Sequence, residues 1–505
     1  MPNQKTYTIG TRGSLLALTQ CNQIKDQLEK ATGDKFVLEV IKTQGDLITS
    51  APLWQLDGKD FFTKELDEAL LSGKVDLVVH SYKDLGSERP AGIMLAAVTK
   101  RTYAHDIMLI KKETIPTLAE KKEFIVGTSS PRRMVNLEKE LHNFLPKGQH
   151  LKVTPKVLRG NVNTRIQKLR DNEFDAIVLA LPGIERLSLT ESSKVELTRL
   201  LDGMTFMIMP QSVFPSSASQ GALGIECAQN RNDNGELQEK LLKMQHNDTK
   251  EEVSRERRAF NEYGGGCHLA VGVNVKKINN LFLHTHKGLL NEKEISVSLL
   301  EGRNLPTIPA NPKTFIGLPH LDDLLIEKKS IKINLDSKDH YFVSSRYSIP
   351  SLQEGQNYGS LWAAGIKTMR EMSRLGFWVN ATSDSLGIND AHKLFESNAV
   401  KIMLNNSNKF VNLTNAESKN GAYPTLTTYE RVIKNTDAAF AQKIENTDVF
   451  YWTSFFQYQT YTENFPSVKN KIHACGLGHT YEQFQKNNIT VTPFYKMEDF
   501  KNWTK

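Results

Sequence analysis

Cysteine is scarce in this chain. Four occur in 505 residues, Cys21, Cys227, Cys267 and Cys475, and no two are spaced as a CxxC pair. That argues against a disulfide frame or a zinc ligand set, predicts no metal, and fits a reducing compartment. Long apolar runs are missing too: no stretch approaches the roughly 20 residues of a membrane-crossing helix. The opening MPNQKTYTIGTRGS has no apolar signal core, so a cytoplasmic location without a membrane partner is expected. Neither GxxxxGK[ST] nor a strand–GxGxxG–helix is present, which disfavours ATP and dinucleotides. Aromatic residues make up 8% of the chain and do not interleave with the clustered arginines, so no nucleic acid partner is expected. The net charge of +7 is mild and leaves the decision to where the arginines lie.

The length predicts several domains. From about residue 7 to 230, short apolar runs (DLVVH at 76–80, FIV at 124–126, AIVLAL at 176–181) alternate with helical periods. Leu18, Cys21, Ile24 and Leu28 lie at helical spacing after Ser14, and the run stops at Gly33. This alternation predicts α/β layers with mostly parallel sheets. EEVSRERRAFN (251–261) reads as a charged helix, and LFLHTHKGLL and ISVSLL as strands of a small α+β unit. A proline-rich connector follows at 305–319, and a new α/β pattern begins near 340. No internal sequence repeat is evident.

Three strand-to-helix junctions share one design. IGTRGSLLAL carries Arg12 and Ser14. VGTSSPRRMVNL places Ser129 and Ser130 at a helix cap, Pro131 at the first helical position, then Arg132 and Arg133. VLRGNVNTRIQKLR supplies Arg159 and Arg165. Free N–H groups, the helix dipole and a guanidinium together attract anions. Three such starts predict a ligand with several separate carboxylates or phosphates. In LVVHSYKDL, Lys83 and Asp84 follow a strand ending at the same mouth. They read either as a solvated ion pair or as a site in which an ionised Asp84 steadies positive charge developing on a substrate. YGGGCHLAVG sets Cys267 behind three glycines, an open and flexible perch unlike the surroundings of a buried thiol.

Together TRGSLLAL, FFTKELDEALLSGKVDLVVHSYKDL, VGTSSPRR, LRGNVNTRIQKL, DAIVLALPGIERL, QGALGIE and GGGCH closely resemble the porphobilinogen deaminase (hydroxymethylbilane synthase) family, in family order over about residues 5–305. The resemblance implies two periplasmic-binding-protein-like α/β lobes around a cleft plus a small α+β domain: residues 1–104 completed by 201–228, residues 105–200, and residues 229–304. It implies a dipyrromethane cofactor in thioether linkage to Cys267. Porphobilinogen, the substrate, is condensed head to tail four times with loss of ammonia, and water frees hydroxymethylbilane. By motif, Asp84 and Lys83 are catalytic, and Arg12, Ser14, Lys83, Ser129, Arg132, Arg133, Arg159, Arg165 and Arg186 bind cofactor and substrate carboxylates. The enzyme is expected to be a monomer. Asp60 and the residues after Cys267 depart from the family pattern and put local loop geometry in question.

After a linker at 305–337, residues 338–505 resemble the uroporphyrinogen-III synthase family through FVSSR, VNATSDSLG, YPTLTTYERV, VFYWTSFFQYQTY and HACGLGHTYEQFQKNNITVTPF. This implies a two-lobed α/β unit that cyclises hydroxymethylbilane, with Tyr429 as an acid; small residues such as Ser383, Ser385 and Ser454 read as carboxylate donors, while GLGHT, one residue longer than that family's turn, displaces Thr480 from the family pattern. Tyr429 reads also as an ordinary core or surface tyrosine. The rival readings are a non-catalytic extension docked on the deaminase and, for the whole chain, a two-lobed solute receptor.

Overall fold

Strands and helices alternate as the apolar runs predict. The computed structural model describes residues 4–43, 63–86, 88–266, 268–404, 408–417 and 423–505. The first lobe holds β1 (Thr6–Thr11), β2 (Lys35–Val40), β3 (Leu77–Ser81) and β4 (Ile93–Val98). The second holds β5 (Asp106–Lys111), β6 (Glu123–Thr128), β7 (Lys152–Val157), β8 (Ala176–Ala180) and β9 (Met204–Ile208), and the chain then returns to the first with β10 (Leu223–Ala228).

The two sheets, β2-β1-β3-β10-β4 and β7-β6-β8-β5-β9, repeat one topology. Each has a parallel trio, a fourth strand antiparallel to it and an edge strand antiparallel to the fourth. The sequence hides this repeat because only short pieces such as IGT and VGT survive at equivalent places. Ser14 caps the helix Leu15–Thr32 by accepting from the Ala17 amide at 3.3 Å, and Gly33 closes it in the left-handed region. Because β9 completes the second sheet, the return to the first lobe starts after Ile208 and not at 201.

The third domain is an antiparallel sheet of β11 (Ala270–Ile278), β12 (Leu281–Leu290) and β13 (Lys293–Glu301) against the helix Asn247–Glu262. The tail contributes β14 (Thr314–Ile316), β15 (Ile326–Ser330), β16 (His340–Val343), β17 (Ser360–Ala363), β18 (Ala381–Thr382), β19 (Phe410–Asn415), β20 (Thr425–Ile433), β21 (Val449–Trp452), β22 (Ile472–Gly476) and β23 (Thr492–Phe494). They form two sheets, β15-β20-β19-β16-β17-β18 and β14-β21-β22-β23. HYFV and VFYW are buried throughout, as strands covered on both faces must be. Residues 305–337 are therefore more than a linker: β14 pairs with β21 and β15 with β20. One strand is only three residues long and the other, IEKKS, is charged, so neither carries the apolar signal of a strand.

The tail is packed onto the second lobe. The Ile208 amide donates to the Asn380 carbonyl at 2.7 Å, and Trp378 Nε1 and Asn380 Nδ2 donate to the Phe206 carbonyl, each at 3.0 Å. The exposed edge of β9 is thereby covered. Below it, Phe206 and Trp362 meet edge to face at 6.4 Å between ring centres in one continuous apolar core. The buried Glu185 carboxylate accepts from Ser397 Oγ (2.6 Å) and from the Asn398 and Ala399 amides (3.2 and 3.0 Å) of the tail.

Candidate active site

The parallel strands β1, β3, β6 and β8 run towards one mouth, where open α/β sheets place their ligands. At the end of β3 a single tight turn, Tyr82–Asp84, presents Lys83 and Asp84. The turn is held from the third domain. Arg257 donates to the carbonyls of Tyr82 (3.3 Å), Leu85 (3.1 Å) and Gly86 (2.6 Å), and its guanidinium lies 4.7 Å from the Tyr82 ring centre. Nothing in the sequence marked Arg257, because its partners are backbone carbonyls in a distant segment.

Lys83 points inward and donates to Gln220 Oε1 at 3.4 Å. Burial lowers its pKa, opposed by Asp84 and Asp106 and reinforced by Arg133 and Arg132. Gln220 is fully buried. It donates to the Ala104 carbonyl (2.7 Å) and to Asp106 Oδ1 (2.8 Å), tying Lys83 to the crossover between lobes. Asp106 in turn receives Arg133 through two nitrogens, at 3.0 and 2.7 Å, and Arg132 at 2.8 Å. Both arginines thus have a resident carboxylate, and Arg132 also donates to the Pro215 carbonyl at 2.7 Å. The sequence placed both on ligand carboxylates alone and gave Asp106 and Gln220 no role, although QGALGIE contains the glutamine.

The remaining arginines are less occupied. Burial pushes Arg186 down to about 10, opposed by Asp84. Among the described residues its one hydrogen bond is to the Gly221 carbonyl, at 2.7 Å, and its buried Nε has no partner. Burial, then Arg133 and Arg159, push Arg165 down to about 10; among the described residues it donates only to the Gly160 carbonyl, at 2.7 Å. These interactions link Arg159, Arg165, Arg133, Lys83, Asp84 and Arg186 into one run of charge. Arg186 is buried with only Asp84 as an opposite charge, and the half-buried Arg165 has like charges and a backbone carbonyl for company. Such groups await an anion.

Asp84 is exposed, and its carboxylate makes no hydrogen bond among the described residues. Arg12 is half-buried on the loop after β1. Ser130 occupies the N-cap before Pro131, yet its hydroxyl does not cap, and the half-buried Ser129 beside it makes no side-chain bond either. Pro131 has no N–H to satisfy, so the first turn asks less of a cap. At Val162 the cap is Asn161, accepting from the Thr164 amide at 2.9 Å.

Cys267, Lys59 and Asp60 lie outside the described residues. The glycines before Cys267 adopt φ values of 101°, 61° and 91°, a run of left-handed backbone that side chains would strain. Asp67, His80 and Glu226 stand close enough together to hold an ion. Arg89 fills that place, bonded to Asp67 at 2.5 Å and to Glu226 at 2.7 and 2.8 Å. Burial, then Arg89 and Arg12, push the His80 imidazole down to about 3, so it is neutral.

In the tail, Tyr429 is buried on β20 and its hydroxyl accepts from Asn415 Nδ2 at 3.3 Å. Ser383 donates to the Ala364 carbonyl at 2.8 Å, Ser454 caps the helix Phe455–Asn464, and Thr480 reaches the Thr453 carbonyl at 3.4 Å. Ser385 lies in a left-handed turn, at φ 68°.

Residues 7–236 match the family model described as "Porphobilinogen deaminase, dipyromethane cofactor binding domain". Porphobilinogen deaminase of a Nitratiruptor species is 41% identical over 278 residues, 54% of this chain and 79% of that protein. The chain belongs to the porphobilinogen deaminase family. The enzyme of the same name from Sulfurimonas denitrificans is 37% identical over 295 residues, 58% of this chain and 86% of its own length. That from Lawsonia intracellularis is 41% identical over 269 residues, 53% and 79%. Among solved structures, an amino-acid ABC transporter extracellular-binding protein from Bacillus subtilis is 15% identical with a TM-score of 0.26, covering 48% of this chain and 98% of that one, a likeness too low to carry any argument. No described helix is long and apolar enough to cross a membrane.

Proposed function

We propose that the amino-terminal three domains condense four porphobilinogens head to tail into hydroxymethylbilane, releasing ammonia at each addition. The observation that carries this is the run of buried and half-buried cations, Lys83, Arg159, Arg165 and Arg186, with Asp84 as the one carboxylate in that run. An oligopyrrole with an acetate and a propionate on each ring supplies the missing anions, so the residues fit the dipyrromethane. When bound, as a thioether on Cys267, the dipyrromethane offers the nucleophilic pyrrole carbon from which the product grows. Arg159, Arg165 and Arg186 bind the acidic side chains, and Lys83 adds a charge that Gln220 aims. Asp84, whose carboxylate makes no hydrogen bond among the described residues and which lies beside Arg186, faces the substrate carbon that becomes positive as ammonia leaves. The intact protein should exceed its sequence mass by one dipyrromethane, and Cys267→Ser should remove the excess. Asp84→Asn should keep the excess yet lower porphobilinogen consumption by about 10²–10³, the usual cost of one preorganised electrostatic group. Near-normal turnover would return Asp84 to a structural role.

For the tail we propose cyclisation of hydroxymethylbilane to uroporphyrinogen III. The ordered motifs and the arrangement in two α/β lobes, with Tyr429 on a strand of the first, support the reading. Tyr429→Phe should shift the product from the type III to the type I isomer without slowing porphobilinogen consumption. The depth to which the tail is packed against β9 favours one other reading, a structural extension. An isomer ratio that is type I in the unaltered chain decides for it.

A further inference from the structure

β15 and β20 run antiparallel with Lys328 opposite Arg431 and Ser330 opposite Tyr429. Alternation puts these four residues on one face of the sheet. On the other face the same two strands set Lys329 opposite Glu430, the complementary pairing that stabilises neighbouring strands. Like charges directly opposite are destabilising, so the Lys328–Arg431 pair runs against the local pattern. The pair is also sheltered: the Arg431 side chain is 11% exposed and its buried Nε has no partner.

Nearby carboxylates do not resolve the conflict. Asp323 already accepts from Tyr461 (2.8 Å), Gln457 (2.5 Å) and the Ile326 amide (3.1 Å). Glu417 stands 4.0 Å from Arg431, too far for a hydrogen bond. Lys328 Nζ makes no hydrogen bond among the described residues. It lies 5.3 Å from the Tyr347 ring centre, a distance that the Arg346 guanidinium shares. Burial, with Arg431 the next cause, pushes Lys328 down to about 8. Arg431 also lies 4.6 Å from the Phe456 ring centre. Phe456 belongs to the tail's other lobe, so the cations sit where the two lobes meet.

We propose that Lys328 and Arg431 form a carboxylate-binding subsite of the tail, on the face that carries Tyr429. An acetate or propionate between the two would replace repulsion by two charge-assisted hydrogen bonds. Tyr429 would then lie two pairings along the strands from the anchored group, the next pair on the same face. The ligand class rests on the cyclisation reading above; the subsite itself does not. β15, which supplies Lys328, comes from the segment that the sequence presented as a linker.

Uroporphyrin I, an octacarboxylate with acetate and propionate on every ring, is a stable probe. Its binding to the full chain is followed by fluorescence in an Arg165→Gln background, which weakens the deaminase cleft. Lys328→Gln and Arg431→Gln should each weaken binding about ten-fold or more, the loss of one charge-assisted hydrogen bond. Lys328→Arg should retain most of it, and Lys329→Gln, on the opposite face, should leave it unchanged. Unaltered binding in both glutamine variants overturns the subsite, as does equal weakening by Lys329→Gln. An unaltered chain that binds through this pair but yields only type I product overturns cyclisation and keeps the subsite.

Discussion

Asp106 carries more of the candidate site than any residue the sequence drew out. Burial alone would raise its pKa, but Arg132 and Arg133 outweigh burial and hold the carboxyl well below the usual range. A carboxylate depressed on folding stabilises the protein above its unfolded pKa, and that contribution is lost as pH falls through the folded value. Asp106→Asn leaves two buried guanidiniums without their anion and should cost about 3–5 kcal/mol in urea unfolding at neutral pH. Wild type should lose stability below about pH 4 more steeply than this variant. Equal acid profiles would show that the triad contributes nothing net. Motifs made Lys83, Asp84 and the arginines legible, because glycine-, serine- and arginine-rich junctions have a composition of their own. Asp106, Gln220 and Arg257 stayed hidden: each acts through a partner far along the chain.

At the level of elements, the crossover between lobes turns on Gly221. It adopts φ 92°, and a Cβ there would meet the Tyr103 carbonyl oxygen at 2.0 Å. This close approach lets the Thr102 amide reach the Gly221 carbonyl at 3.3 Å, while Arg186 donates to the same oxygen. Gly221→Ala should therefore push the two crossing segments apart and dislodge Arg186. Porphobilinogen consumption should fall well over ten-fold, and the melting temperature should drop by several degrees. A variant with unchanged kinetics would show that the crossover has slack. Helices and buried strands were readable from periodicity and caps, as Ser14 and Gly33 show. β15 was not, since IEKKS has no apolar alternation and gains its place only by pairing with β20.

For the whole molecule, the boundary seen in the sequence does not coincide with one in the packing. Phe206 and the β9 edge belong to the second lobe but are covered by Trp378, Asn380 and Trp362 of the tail. On the third domain, Lys276 bonds Asp390 at 2.8 Å. A chain ending near residue 325 would keep every deaminase motif, yet bare this apolar face and leave Glu185 without its tail donors. It should melt lower and aggregate more readily than the full chain, and an equally stable truncation would show the docking to be superficial. Isomer tests therefore belong to point variants such as Tyr429→Phe, in which the fold stays whole.

Residues 304–307 between the third domain and the tail are exposed and proline-bearing, an open target for proteases. Cleavage there would cut one peptide bond and leave the buried contacts on either side untouched. Two fragments should appear on a denaturing gel, while the native particle elutes as before. The covalent connection would then matter chiefly during synthesis, when it guarantees one tail for every deaminase. Once folded, the halves should behave as subunits that happen to share a gene.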